Sequence, residues 1–212
     1  MRILKILALL SVFVITIQCF NNKTKGKENA FTEYNDKGEL LRPKDYRSWV
    51  FAGTVTTPEI LDTSELFPDF QNIYIDPVGF KFWKKNGYFD EGTILVKELL
   101  RATDRRKLPI GEGFVQGKIY DIAATIKDTV KYPNVPGGWE YFDFSEQPNG
   151  EFTAVAKPVG NMLGCIACHS QAEAGYGPFP ELYAPLRDAK GFGEGSPENL
   201  SNRNSLPSAK LK

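Results

Sequence analysis

The sequence predicts an α+β fold: mainly an antiparallel β-sheet with a few packed helices, in a single c-type haem domain. Two observations predict the architecture. Several short runs are rich in β-branched and aromatic residues and end at Gly, Pro, Asn or Asp clusters. Only one segment carries a complete set of helix start and stop signals. A third observation, a Cys-x-x-Cys-His motif near the C-terminus, predicts the haem.

The elements follow in order. Residues 49–56 and 72–75 read as strands. Asp76 then offers an N-cap, Pro77 suits the first helical position and Gly87 suits the position after the last turn, which predicts an amphipathic helix of about three turns. Lys81, Lys84 and Lys85 fall on one face of it, at a spacing that most simply makes a solvated surface. Asp90-Glu91-Gly92 turns into a strand over 93–100. Residues 101–113, charged and holding Pro109, Gly111 and Gly113, read as a loop. Further strands are predicted over 114–120 and 139–144. The stretch 122–132 is ambiguous between strand and helix, and 182–189 reads as a short final helix.

Composition excludes several functions. The 26 basic and 26 acidic residues balance, which argues against a nucleic-acid binder. A single His excludes a centre built from several imidazoles. At the N-terminus, Arg2 and Lys5 precede an apolar run over 6–17, too short to cross a hydrocarbon layer about 30 Å thick. Residues 1–18 therefore read as a secretory signal peptide, which places the mature protein in the periplasm. Cys19 follows directly and resembles a bacterial lipidation site, which would anchor the protein to a membrane without a spanning helix. Residues 19–32 are expected to form a flexible tether, 33–190 the haem-binding domain, and 191–212 a disordered tail rich in Gly, Asn and Ser.

The chemistry sits at Cys165-Ile166-Ala167-Cys168-His169. Two thiols at this spacing can form thioethers with the haem vinyls, and the His immediately after can ligate iron from one side. A disulfide or a redox dithiol with an incidental His is the competing reading. A zinc site lacks a fourth ligand. After loss of the signal peptide, Met162 is the one methionine left, and it lies too close before His169 to wrap onto the opposite face of the ring. It is read as packing. The distal iron position is therefore expected to be open, as in haems that bind or transform small molecules. On the predicted strand, Leu95, Lys97 and Leu99 share one side, while Ile94, Val96 and Glu98 share the other. Both sides are mostly apolar, so Lys97 or Glu98 is expected to point inward, where an unpaired charge is costly.

These residues resemble the cytochrome P-460 family. The similar stretches are Tyr34 to Leu40, Tyr46 to Val50, Ile73 to Pro77, Phe82 to Lys85, Asp90 to Thr93 running into Val96 to Leu99, the haem motif, and Phe179 to Lys190. The resemblance implies a mainly antiparallel β fold, commonly a homodimer, around one covalently bound c-type haem. It implies oxidation of hydroxylamine to nitrous oxide or nitrite, with electrons passed to an acceptor cytochrome. The lysine matching Lys97 is expected to bond through nitrogen to a meso carbon of the haem. A related group, cytochrome c′-beta, lacks that lysine and binds nitric oxide without turnover. That group and a simple electron carrier are the alternative functions. The family also implies a distal carboxylate shortly before the haem motif. Residues 157–164 contain no acid, which leaves Asn161 as a weak distal candidate, able to hydrogen-bond a ligand but not to act as a base.

Overall fold

The computed structural model describes residues 30–57, 66–67, 69–103, 106–172 and 177–189. The proposed signal peptide, Cys19 and the proposed C-terminal tail lie outside the described residues. Among these, no helix is long and apolar enough to cross a membrane.

A five-stranded antiparallel sheet forms the body. It consists of β2 (Val50–Thr57), β3 (Asp69–Ile75), β4 (Ile94–Ala102), β7 (Gln116–Lys127) and β8 (Trp139–Asp143), in the spatial order β2-β3-β4-β7-β8. Two small pairs flank it: β1 (Leu40–Leu41) with β9 (Val155–Ala156), and the hairpin β5 (Arg106–Leu108) with β6 (Gly111–Gly113). Helix α1 (Pro77–Asn86) joins β3 to β4. Helices α2 (Cys165–His169) and α3 (Ala184–Ala189) close the chain.

The fold is α+β, as the sequence predicts, and α1 forms where its signals placed it. The Asp76 carboxylate accepts from the Gly79 amide at 2.7 Å, and Gly87 takes the left-handed conformation at the C-terminal end. The other Asp76 oxygen accepts from the Ile94 amide at 2.9 Å, so one buried carboxylate ties the helix start to the head of β4. Three expectations need correction. The supposed loop 101–113 contains the end of β4 and the β5–β6 hairpin, because the two glycines of β6 allow a tight antiparallel return. The ambiguous stretch 122–132 continues β7 as far as Lys127. There the β-branched residues Ile122, Thr125 and Ile126 lie between β4 and β8. The final helix is shorter than expected, beginning at Ala184 after a single 3-10 turn over Pro180–Leu182.

Each sheet face carries its own apolar cluster, and the odd and even residues of β4 decide which is which. Ile94 and Val96 pack with Ile122, Ala124, Ile126 and Phe142 against Leu40, Tyr46 and Trp49. Leu95 joins Ile73, Ile75, Trp139 and Tyr141 against Trp83 of α1 and Leu186 of α3, with Cys165 and Ile166 of α2 at the edge. Trp83 fastens α1 to α3 by donating its indole N–H to the Leu186 carbonyl at 2.7 Å. The haem motif thus docks on the second face.

Candidate haem site

Lys97 lies in the middle of β4, directly across from Ala123 of β7 and Ile73 of β3. Ala123 is in turn across from Asp143 of β8. Directly opposed residues in an antiparallel sheet share a face. Lys97, Ala123 and Asp143 therefore form a row across three strands, with Asp121 two residues from Ala123 on the same side. This is the face that carries Tyr141 and receives α2.

Helix α2 is a single turn, entered through Gly164 in the left-handed conformation. Cys165 and Cys168 are three apart and so share a side of that turn, and both thiols are free. His169 follows. Its Nδ1 lies 2.7 Å from the carbonyl of Gly177. A carbonyl can only accept, so Nδ1 carries the proton and Nε2 keeps its lone pair for a metal. The ring is held on two sides by Tyr141 and Phe179, with centroids at 4.7 and 4.8 Å. Gly177 has to be glycine: a Cβ there would lie 2.5 Å from the Trp139 indole nitrogen. Gly160 is equally constrained, since a Cβ would meet Glu140 Oε1 at 2.6 Å. That same oxygen of the buried Glu140 accepts from the amides of Gly160 at 3.0 Å and Tyr141 at 2.9 Å. The segment leading into the motif is thereby clamped to β8.

The electrostatics tie these pieces together. Burial pushes the Lys97 ammonium down to about 8, opposed by the negative charge of Asp121 and the nearby Cys168 and Cys165 thiols. Burial also raises the Cys165 thiol and lowers His169, and Lys97 acts on both. The Lys97 nitrogen sits 3.7 Å from the centre of the Phe67 ring, so an aromatic face shares its environment. Asp121 is raised to about 7, first by burial and then by contact with Asp143. Asp143 Oδ2 accepts from the Ser145 hydroxyl at 3.1 Å, whereas its Oδ1 is buried with no donor. Two carboxylates in contact cannot both be charged cheaply, and one proton between them removes the repulsion.

The residues fit a haem on observations of this structure. They provide two free thiols on one turn, an imidazole whose outer nitrogen is fixed as a donor, an apolar sheet face, and a buried carboxylate oxygen lacking a partner. The structure brings Lys97, Cys165, Cys168 and His169 to one face. Asn161 lies exposed in the turn before α2. The carboxyl pair was missed in the sequence. Its signal was present, since Asp121 and Asp143 become face-sharing once β7 is extended past residue 120. That extension was hidden by the ambiguity over 122–132.

An α+β sheet domain that offers a thiol pair and a single oriented imidazole to an apolar face is a haem-binding domain of the cytochrome kind. The chain belongs to the cytochrome P460 family, whose model matches residues 43–176, more than half of the 212 residues. The family consists of haem cytochromes, so haem is its cofactor and its members are haem oxidoreductases in kind. The matched region spans Lys97, both carboxylates and the whole Cys-x-x-Cys-His motif. No curated protein is similar enough to match the chain.

Proposed function

We propose that this protein is an exported mono-haem c-type cytochrome that oxidises hydroxylamine and passes the electrons to an external acceptor. The observation that carries the reading is the position of Lys97. Its side chain shares the sheet face of the haem motif and interacts electrostatically with both thiols and with His169. A surface lysine would have no reason to be there, and a buried one is costly unless it is used.

Bound haem would supply an iron centre that takes electrons from a small nitrogen ligand. The chain's own residues then have distinct tasks. Cys165 and Cys168 hold the ring by thioethers. His169 binds iron through Nε2, with the Gly177 carbonyl fixing its orientation. Lys97 is the residue placed to bond covalently to the macrocycle. An ammonium cannot form that bond, and burial to about 8 makes the neutral amine accessible near neutral pH. Asp121 and Asp143 take the role that Asn161 cannot. Oxidation of hydroxylamine releases protons with its electrons, and a carboxyl pair with Asp121 at about 7 can accept and release a proton near neutral pH. Thioether attachment suits an oxidising compartment outside the cytoplasm. The apolar run over 6–17 supports export, and Cys19 supports a lipid anchor.

The test is steady-state hydroxylamine consumption by the haem-loaded protein with an excess chemical oxidant. The reading expects sustained turnover that Asp121→Asn slows by about 10²-fold or more, the usual scale of a lost acid–base group. Stoichiometric nitric oxide binding with no hydroxylamine consumption would instead make it a binding module.

A further inference from the structure

We propose that the lysine face of α1 docks an acidic, one-electron acceptor protein, reached from the haem side through His169, Gly177, Trp139, Phe89 and Trp83. The proposal rests on the reading that electrons leave this protein for an external acceptor, and it assigns the exit.

The route is a series of close contacts. His169 Nδ1 donates to the Gly177 carbonyl at 2.7 Å. Gly177 lies against the Trp139 indole so closely that no side chain fits between them. Phe89 meets Trp139 edge to face at 5.3 Å, then stacks on Trp83 at 4.0 Å with the planes 20° apart. All three rings are buried. Trp83 belongs to α1, and the opposite side of that helix exposes Lys81, Lys84 and Lys85. None of the three has an ion-pair partner among the described residues. Lysines near a helix C-terminus complement its dipole, which explains a basic last turn. It does not explain an unbroken line of rings joining that turn to the proximal imidazole.

Charge complementarity selects the occupant. Three unpaired ammonium groups on one short helix attract an acidic surface, speed encounter at low salt and repel basic proteins. The transfer itself is a single-electron step. The reduced haem protein is oxidised, the acceptor is reduced, and no bond or proton moves.

The experiment uses haem-loaded protein reduced with dithionite, so its outcome does not depend on hydroxylamine turnover. Oxidised plastocyanin, a small acidic copper protein, is the probe in stopped flow. The expected rate for the native chain falls steeply as salt is added. Reversing the three charges together (Lys81→Glu, Lys84→Glu, Lys85→Glu) should lower the low-salt rate at least about tenfold and flatten its salt dependence. Lys107→Glu, on the distant β5 strand, should change it less than about twofold. At saturating acceptor, Trp83→Leu should slow transfer, whereas Trp83→Phe, which also loses the bond to Leu186 but keeps a ring, should not. Equal effects of the helix and Lys107 reversals, or no effect of either, would overturn the docking site. Equal limiting rates for the Leu and Phe variants would overturn the route.

Discussion

Lys97 and Glu98 are neighbours on β4, yet they sit in opposite kinds of surroundings. Glu98 is 1% exposed and well supplied with donors. Tyr46 donates its hydroxyl to Oε1 at 2.6 Å, and Arg47 donates Nε to the same oxygen at 2.6 Å. The Tyr74 hydroxyl stands 3.5 Å from Oε2. The partnered carboxylate in turn pushes Tyr46 well above the usual phenol range, after burial. On the other face, Lys97 is opposed by burial and has an aromatic ring and a half-protonated carboxyl pair for company. Asp143 Oδ1 has no donor at all. A buried charge whose donors are supplied is doing structural duty, and buried polar groups left incompletely satisfied mark the place where something else must bind. The contrast assigns the two faces of one sheet to stability and to chemistry.

The sharpest way to break that contrast is to remove each charge in turn. Glu98→Ala leaves the Tyr46 and Arg47 donors without their acceptor, and the haem-free protein should lose about 3–5 kcal/mol in denaturant unfolding. An effect below about 1 kcal/mol would erase the structural role of that face.

Lys97→Met should do the reverse. In the folded chain the ammonium is pushed from 10.5 to about 8. Between those values the unfolded chain holds the proton more tightly than the folded one, so stability rises with pH across that window. The variant should therefore be more stable than the native chain at pH 7, by on the order of 1–3 kcal/mol. The gain should fade as pH rises from about 8 toward 10.5. Paired pH-dependent unfolding curves would show this, and a destabilised variant would contradict it.

A smaller effect is expected at Asp121. Its folded carboxyl is raised from 3.8 to about 7, so the folded chain binds the extra proton in that range and its stability falls as pH rises through it. Asp121→Asn should remove that decline between pH 4 and 7. An unchanged pH profile would mean that the two carboxyls do not share a proton.

The same contrast explains how far the sequence could be read. Alternation along 94–99 puts Lys97 and Glu98 on opposite faces, and the spacing of Cys165, Cys168 and His169 already specifies a haem anchor. Asp76, Pro77 and Gly87 bracket α1 because capping is local chemistry. What could not be read depends on register between strands far apart in the chain. Asp121 and Asp143 come together only because β7 pairs with both β4 and β8. Gly177 and Trp139 meet only after the chain returns past α2. Sequence reasoning sought an acid within a few residues of the motif. The fold supplies one from neighbouring strands instead.

The central claim is that Lys97 and the Cys-x-x-Cys-His motif serve one cofactor on one sheet face. Mass spectrometry of the protease-digested, haem-loaded protein tests it directly. The account predicts a single haem species joining the peptide that contains Cys165 and Cys168 to the peptide that contains Lys97, and loss of that species in Lys97→Ala. A haem carried by the Cys165–Cys168 peptide alone, with the Lys97 peptide recovered free and unmodified, would contradict it.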